Sequence, residues 1–313
     1  MSTLIRDREL ASSLGCPVID GRRQVQRVSP RTADVGGIPV NRVLPSRQRR
    51  LVGAWCFLDH AGPASFEGNS PGLCVGPHPH IGLQTFTWMI EGEVLHRDSL
   101  GNEQVIRPGQ VNVMTAGRGI SHTEESRSGE SRLHAAQLWI ALPEADRHTE
   151  PRFDHYPELP RWREEGTELT LLTGEYGGYR APALSFSPLV GLDMTSRRAS
   201  ALELPLREDF EYALLPLDGE LGIEGDTFAA NELAYLGRGR DGVALDLPAD
   251  GRVILVGGEP LGEEILIWWN FVGHSKAEIA EAQRDWEVGS ERFGSIPQYD
   301  GEPLMPPPLP WRV

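Results

Sequence analysis

Two pairs of metal-ligand side chains lie about forty residues apart in this chain: His78 with His80, and His122 with Glu124. Side chains at positions i and i+2 of a β-strand point to the same face of a sheet. Two neighbouring strands would therefore bring three imidazoles and one carboxylate together. Such a set suits iron, zinc, copper or nickel, and it leaves open positions on a metal that takes five or six ligands. The pattern predicts a site for chemistry at a metal.

Turn residues surround both pairs. Gly76 and Gly82 flank the first pair, Gly92 marks a later turn, and the glycines at 117 and 119 precede the second pair. A single His-x-His strand is typical of surface or core histidines. Short strands separated by such turns, however, form the hairpins that would carry both pairs to one place.

These segments resemble the cupins, and among cupins the pirins. The resemblance rests on PHPHIGLQTFTWMIEG at 77–92, PGQVNVMTAGRGISHTE at 108–124, FLDH at 57–60 and WWNFV at 268–272. It implies that the four residues of the two pairs, His78, His80, His122 and Glu124, are ligands of Fe(2+). Zn, Mn, Ni and Cu stay open as alternatives, because affinity at nitrogen sites favours copper over iron and occupancy depends on supply.

Composition and an internal repeat predict an all-β fold. The chain has 35 glycines and 25 prolines, too many for a helical bundle, while its 39% hydrophobic content is too high for a disordered chain. A strand, Gly-Glu turn, strand pattern around Gly92 recurs around Gly219. We expect two stacked cupin-type antiparallel β-barrels followed by a short C-terminal helix.

The second barrel is expected to hold no metal. Aligning Gly219 with Gly92 places Pro205 and Arg207 at the positions of the first histidine pair. No histidine occurs between residues 155 and 274. We therefore predict a metal-binding cupin domain at 20–142 and a degenerate cupin domain at 170–272.

Residues 143–168 are rich in proline and charge and are interpreted as a linker. A helix and a proline-rich tail are expected at 273–313. Ser275 and Glu278 predict the helix start as a capping box, and Gly289 predicts its end. The segment 306–311 is expected to lie extended over its own protein, with a polyproline ligand as the alternative.

Charge and cysteine content limit the partners and the compartment. A net charge of −15 opposes direct nucleic-acid binding, which needs basic patches. The charged N-terminal segment is unlike a signal peptide, and no stretch approaches a membrane span. Three widely spaced cysteines suggest a reducing compartment, and Cys56 and Cys74 are expected to pack as small hydrophobic residues. We expect a cytoplasmic protein that binds neither membrane nor nucleic acid.

Counting by two from His80 places Gln84, Phe86 and Trp88 on the metal-facing side of a regular strand. Gln84, where the related pattern usually has glutamate, is expected to bond a ligand or substrate without accepting a proton. Glu124 is then the remaining candidate base. Phe86 and Trp88 either form core or line a pocket for a flat aromatic substrate. His96 is expected to face solvent.

The resemblance leaves two functions open. Pirins include members with quercetin 2,3-dioxygenase activity, which implies an iron(II) dioxygenase acting on a small aromatic flavonol with O2. Other pirins are regarded as regulators, which implies an iron-dependent redox sensor that binds a transcription factor or a metabolic enzyme. Both functions use the same metal site, so the sequence does not separate them.

Overall fold

The computed structural model describes residues 16–311, except 17, 20, 67–69, 71, 128 and 298. The strands up to residue 156 are β1 (Val18–Ile19), β2 (Arg22–Arg23), β3 (Gln26–Val28), β4 (Arg31–Val35), β5 (Ile38–Leu44), β6 (Trp55–Ser65), β7 (Cys74–His80), β8 (Leu83–Glu91), β9 (Val94–Asp98), β10 (Glu103–Ile106), β11 (Val111–Thr115), β12 (Ile120–Ser126), β13 (Arg132–Ala141) and β14 (Arg152–Tyr156).

The later strands are β15 (Arg161–Glu164), β16 (Thr167–Tyr176), β17 (Tyr179–Arg180), β18 (Leu189–Ser196), β19 (Ser200–Pro205), β20 (Glu211–Asp218), β21 (Leu221–Ile223), β22 (Asp226–Phe228), β23 (Leu233–Gly237), β24 (Gly242–Leu247), β25 (Gly251–Gly258), β26 (Leu266–Trp268) and β27 (Phe271–Gly273). Helix α1 spans Lys276–Glu287, and a 3-10 turn spans Glu291–Phe293. None of the helical segments in the described part of the chain has the length and apolar character needed to cross a membrane.

Each half of the chain is a pair of facing antiparallel sheets. The first half has a seven-stranded sheet, β14-β11-β8-β13-β6-β5-β4, opposite a four-stranded sheet, β10-β9-β12-β7. The second half has a large sheet, β15-β16-β18-β25-β20-β23-β3, with β17 beside β16, opposite β19-β24-β21-β22. The all-β, two-cupin prediction is confirmed, but the halves are jelly-roll-like sandwiches rather than closed barrels.

One apolar cluster spans the two halves. Strand β8 is buried on both faces, because one face lines a cavity and the other packs against the second half. The indole of Trp55 donates to the carbonyl of Gly257 at 3.1 Å, and the amide of Gly53 donates to Glu211 at 2.6 Å. Strand β3 lies within the 20–142 range expected for the first domain, yet it pairs with β23 of the second.

The segment interpreted as a linker is partly regular. β14 pairs with β11 at the edge of the seven-stranded sheet, and β15 pairs with β16. The prolines at 157 and 160 fall between these two strands, so the segment interpreted as a linker contains two strands that belong to the sheets of different halves. Proline and charge are also typical of edge strands, where one side of the strand needs no sheet partner.

The C-terminal segment folds back over the first half. Ser275 caps α1 by accepting from the amide of Glu278 at 3.2 Å, as the capping pattern predicted. The tail lies on its own protein: Trp286 donates to the carbonyl of Leu304 at 2.8 Å, and Gln283 donates to that of Pro307 at 3.2 Å. The amide of Leu304 donates to the carbonyl of Pro77 beside the first histidine pair.

The interior of the second half is filled by aliphatic side chains. Strands β19 and β24 alternate buried and exposed residues, and the buried ones are Leu202, Leu204, Val243, Leu245 and Leu247. Pro205 and Arg207, which the repeat aligned with the histidines, are exposed. The alignment counted the same number of residues back from the glycine turn in both halves. The alternation of buried and exposed residues along β19 shows that its inward-pointing side chains are leucines.

The cysteines are free, and they differ in burial. Cys16 and Cys56 are buried, whereas Cys74 is exposed. The expectation of a packed side chain is therefore confirmed for Cys56 and wrong for Cys74, which begins β7 at its solvent-facing end.

Candidate metal centre

Three histidines converge where β7 and β12 run side by side. His78 and His122 are directly opposite in the antiparallel register, and their ring centroids are 4.3 Å apart. His80 completes a buried group in which one ligand nitrogen from each imidazole lies within 4.8 Å of the others. The i, i+2 spacing produces this group because both side chains of the first pair leave β7 on the same face.

Backbone acceptors orient two of the rings. The Nδ1 atom of His78 lies 2.9 Å from the carbonyl of Gly76, and that of His80 lies 3.0 Å from the carbonyl of Asn270. A carbonyl only accepts, so in each neutral ring the proton is on Nδ1 and the lone pair is on Nε2.

A second buried histidine orients the third ring. The Nδ1 of His122 lies 3.3 Å from the Nδ1 of His96, whose Nε2 lies 3.2 Å from Asp98 Oδ2. With His96 donating to the carboxylate, its Nδ1 accepts from His122, and the lone pair of His122 is then on Nε2. His96 is 5% exposed and stacks on Phe153 at 4.3 Å, so the expectation that it faces solvent was wrong.

The arrangement fits a metal cation. The Nε2 atoms of His80 and His122 lie 3.1 Å apart, and the tautomers above aim a lone pair from each into the same space. Burial lowers the pKa of His78 to about 4 and holds the pKa values of His80 and His122 well below the usual histidine range. The three imidazoles are therefore neutral at pH 7, which is the form that coordinates metals.

Glu124 lies beside this group and outside it. A β-bulge between His122 and Glu124 shifts the pairing of β12 with β7, so Glu124 is opposite Val75. Its half-buried carboxylate lines the same cavity as the histidines, and burial raises its pKa to about 7. The set of mutually close ligand atoms contains the three histidines without it.

The structure does not bring Gln84 to the histidines. Its Nε2 donates to Thr115 Oγ1 at 3.0 Å and to the carbonyl of Leu184 at 3.2 Å, on the side facing the second half. The count by two from His80 fails because it crosses the turn at Gly82, which has a φ of +67° and ends β7 before β8 begins. The expectation that Gln84 lies beside a metal ligand was therefore wrong.

Of the two alternatives for Phe86 and Trp88, core or pocket wall, the structure shows core. Phe86 and Trp88 follow the parity of Gln84 and pack in the core between the halves. The cavity wall instead has Phe57 and Trp139, which stack at 4.0 Å with 14° between their planes. Trp139 also packs edge-on against His80 at 5.2 Å. The FLDH segment could have predicted that Phe57 lines the cavity, since Phe57 and Asp59 share one face of β6.

The cavity has a volume of about 320 Å³, at the lower end of the range typical of small-molecule sites. The histidine cluster lies on its four-stranded side. The seven-stranded sheet forms the opposite wall, and Trp269 and Leu304 contribute from the C-terminal segment. A wider cleft of about 850 Å³ lies on the second half, between Arg23 and Asp241.

His60 has a structural role. Its Nδ1 lies 2.6 Å from Asn231 Oδ1 across the two halves, and its Nε2 lies 2.7 Å from Nε2 of His134. Both rings are buried, and this hydrogen-bonded chain faces the interface between the halves rather than the cavity.

The fold and the site define a two-cupin protein with one histidine cluster, and comparisons with known proteins agree. The Pirin family model matches residues 37–140, and the model of the pirin C-terminal cupin domain matches residues 191–294. The chain belongs to the pirin family.

Similar proteins cover nearly the whole chain. A Pseudomonas aeruginosa protein named "Putative quercetin 2,3-dioxygenase" is 60% identical over 97% of this chain and 96% of its own length. A pirin-like protein of Caulobacter vibrioides is 37% identical over 89% of this chain and 97% of its own. A solved structure of quercetin 2,3-dioxygenase from Acinetobacter baumannii matches with a TM-score of 0.90 and 48% identity, covering 92% of this chain and 97% of that one.

Proposed function

We propose that this protein is an iron(II)-dependent dioxygenase of the quercetin 2,3-dioxygenase type, acting on a flat hydroxylated aromatic compound. One observation carries the proposal: three neutral, buried imidazoles aim nitrogen lone pairs into a cavity with an aromatic wall. The names of the similar Pseudomonas and Acinetobacter proteins support the reaction class.

In this proposal His78, His80 and His122 hold the metal. A three-nitrogen set leaves positions open for a carboxylate, a substrate oxygen or O2. Bound iron(II) supplies Lewis acidity and one-electron chemistry with O2. Nickel, zinc, manganese and copper would fit the same nitrogen donors, so the donor set by itself does not select iron.

The remaining steps belong to side chains of the cavity. The flat faces of Phe57 and Trp139 position an aromatic ring beside the cluster. Glu124, whose carboxylate lines the cavity next to His122, is proposed to take the proton of the substrate hydroxyl or to approach the metal as a fourth ligand. Trp269 and Leu304 lie over the cavity and limit the entry of water.

The test is elemental analysis of protein purified without chelator, followed by anaerobic reconstitution with Fe(II). Consumption of O2 and loss of flavonol absorbance should then depend on both quercetin and iron. A purely regulatory pirin would bind the metal without turnover. Failure of every reconstituted metal form to consume quercetin would refute the proposal.

A further inference from the structure

A row of polar side chains crosses the cavity wall opposite the histidines. Arg42 is directly opposite Asp59 in the sheet register, Asp59 is opposite Gln137, and Gln137 is opposite Thr87. Directly paired residues of neighbouring strands point to the same face, so these four side chains form one line across β5, β6, β13 and β8. All four line the cavity. We name them the polar row.

Most polar atoms of the row are paired with each other. Arg42 binds Asp59 through two hydrogen bonds, Nε to Oδ1 at 2.6 Å and Nη2 to Oδ2 at 2.5 Å. The hydroxyl of Thr87 donates to Oε1 of Gln137 at 2.7 Å, which fixes the orientation of the amide. Within the described part of the chain, Nε2 of Gln137 makes no hydrogen bond. The row therefore presents an oriented, unused N–H donor to the cavity.

The position of this donor relative to the histidines follows from the strands. Gln137 and Trp139 lie on the same face of β13, two residues and about 7 Å apart. Trp139 packs against His80 on one side and is stacked with Phe57. The polar row thus crosses the wall between the aromatic pair and an apolar stretch that includes Ala135 and Leu133. A flat molecule with one oxygen at the cluster would extend a second polar substituent toward Gln137.

We propose that the polar row selects planar aromatic substrates with an oxygen acceptor that faces the wall opposite the histidine cluster, and that Gln137 donates a hydrogen bond to this acceptor. The inference rests on the proposed function for the reaction, but it concerns binding alone. Gln137 supplies the hydrogen bond, while the guanidinium of Arg42 is already paired with the carboxylate of Asp59. Substrates without that oxygen would leave the amide of Gln137 unpaired on binding.

The experiment measures binding without turnover. The full chain is loaded with Zn(II) and titrated with quercetin or with 3-hydroxyflavone, which lacks the other hydroxyls of quercetin. Quenching of tryptophan fluorescence reports binding, because Trp139 and Trp269 line the cavity. The unmodified protein should bind quercetin more tightly than 3-hydroxyflavone. Gln137→Met, which keeps the side-chain length without the donor, should weaken quercetin binding about fivefold.

The second probe provides the control. Gln137→Met should leave 3-hydroxyflavone binding within about twofold of the unmodified protein, since a single hydrogen bond is the difference being measured. Zinc content and thermal midpoint of each variant establish that the site is intact. Equal loss for both flavonols, or no loss for quercetin, overturns the role of Gln137.

The outcome separates this inference from the dioxygenase proposal. If Gln137 controls quercetin affinity while the iron-loaded protein consumes no O2, the proposed binding role of the polar row is supported and the dioxygenase proposal is refuted. If iron-loaded protein turns over quercetin with a KM that Gln137→Met does not change, the dioxygenase proposal is supported and the proposed binding role of the polar row is refuted.

Discussion

The Nδ1 atoms of His96 and His122 lie 3.3 Å apart, and this contact ties the histidine cluster to Asp98 deep in the four-stranded sheet. Asp98 is fully buried, and it accepts from the amides of Leu100 and Asn102 at 2.9 and 3.0 Å. The carboxylate is therefore held rigidly, and through His96 it sets both the ring angle and the tautomer of His122.

Replacing His96 by Phe should lower metal affinity about ten- to a hundredfold, the effect typical of removing a partner of a metal-bound histidine. The phenyl ring can keep the stack on Phe153, so the fold should survive. Competition titration with a metal-binding dye measures the affinity. His134→Gln is the matched control, because His134 is equally buried but does not contact the cluster. An unchanged affinity in His96→Phe would contradict the orienting role.

The variant His80→Ala should lose most of its metal and still fold. His80 contributes one of the three close ligand nitrogens, whereas the apolar cores of both halves lie elsewhere. Elemental analysis gives the metal content, and circular dichroism gives the fold. One metal per chain retained in this variant would refute the assignment of the cluster.

Glu124→Gln should keep most of the metal and lose about a hundredfold or more in flavonol turnover, as expected for loss of a general base. The reason is geometric, because Glu124 lies outside the group of mutually close ligand atoms yet lines the cavity. Metal content and kcat are measured on the same sample. Loss of metal in parallel with activity would identify Glu124 as a ligand instead.

Stability should fall in acid through the pair His60 and His134. Burial, with the neighbouring His60, lowers the pKa of His134 to about 3, below the unfolded value of about 6.5. Between these values the unfolded chain binds more protons, so the free energy of unfolding decreases as the pH falls. At pH 5 the loss from this group is about 2 kcal/mol relative to pH 7.

Urea denaturation of metal-free protein at pH 7 and pH 5 tests this expectation. His134→Gln should flatten the dependence, because an amide does not titrate in that range. The difference between the two proteins isolates the pair from the other buried histidines. Parallel curves would show that His134 is not the source of the acid sensitivity.

Gln84→Glu should destabilise the protein without raising activity. The amide of Gln84 donates to two acceptors, Thr115 Oγ1 and the Leu184 carbonyl, and a carboxylate has no donor for either. A carboxylate buried here costs about 3 kcal/mol or more, because the Thr115 hydroxyl could donate only one hydrogen bond to it and the Leu184 carbonyl none. The midpoint of urea denaturation should drop accordingly, while Gln84→Met should drop less. A gain in flavonol turnover in Gln84→Glu would restore a direct role for this position.

The sequence by itself determined the all-β class, the two-fold repeat, the capped C-terminal helix and the meeting of the three histidines. These features depend on local rules: strand parity over two residues, turn glycines, and a Ser-x-x-Glu cap. His78 and His80 share a face whatever the rest of the chain does. The turn glycines indicated the short strands that could carry the second pair to the first.

The tertiary structure decided what surrounds the cluster. The alternation of side chains between the two faces of a strand does not continue through a turn. Because of the turn at Gly82, Gln84, Phe86 and Trp88 point to the face opposite the one that the count assigned. His96 became a partner of His122 only because β9 pairs with β12, a contact between strands that no spacing encodes. The polar row likewise requires the register of four strands at once. Local spacing can place a ligand on a face, but only sheet pairing determines which side chains that face meets.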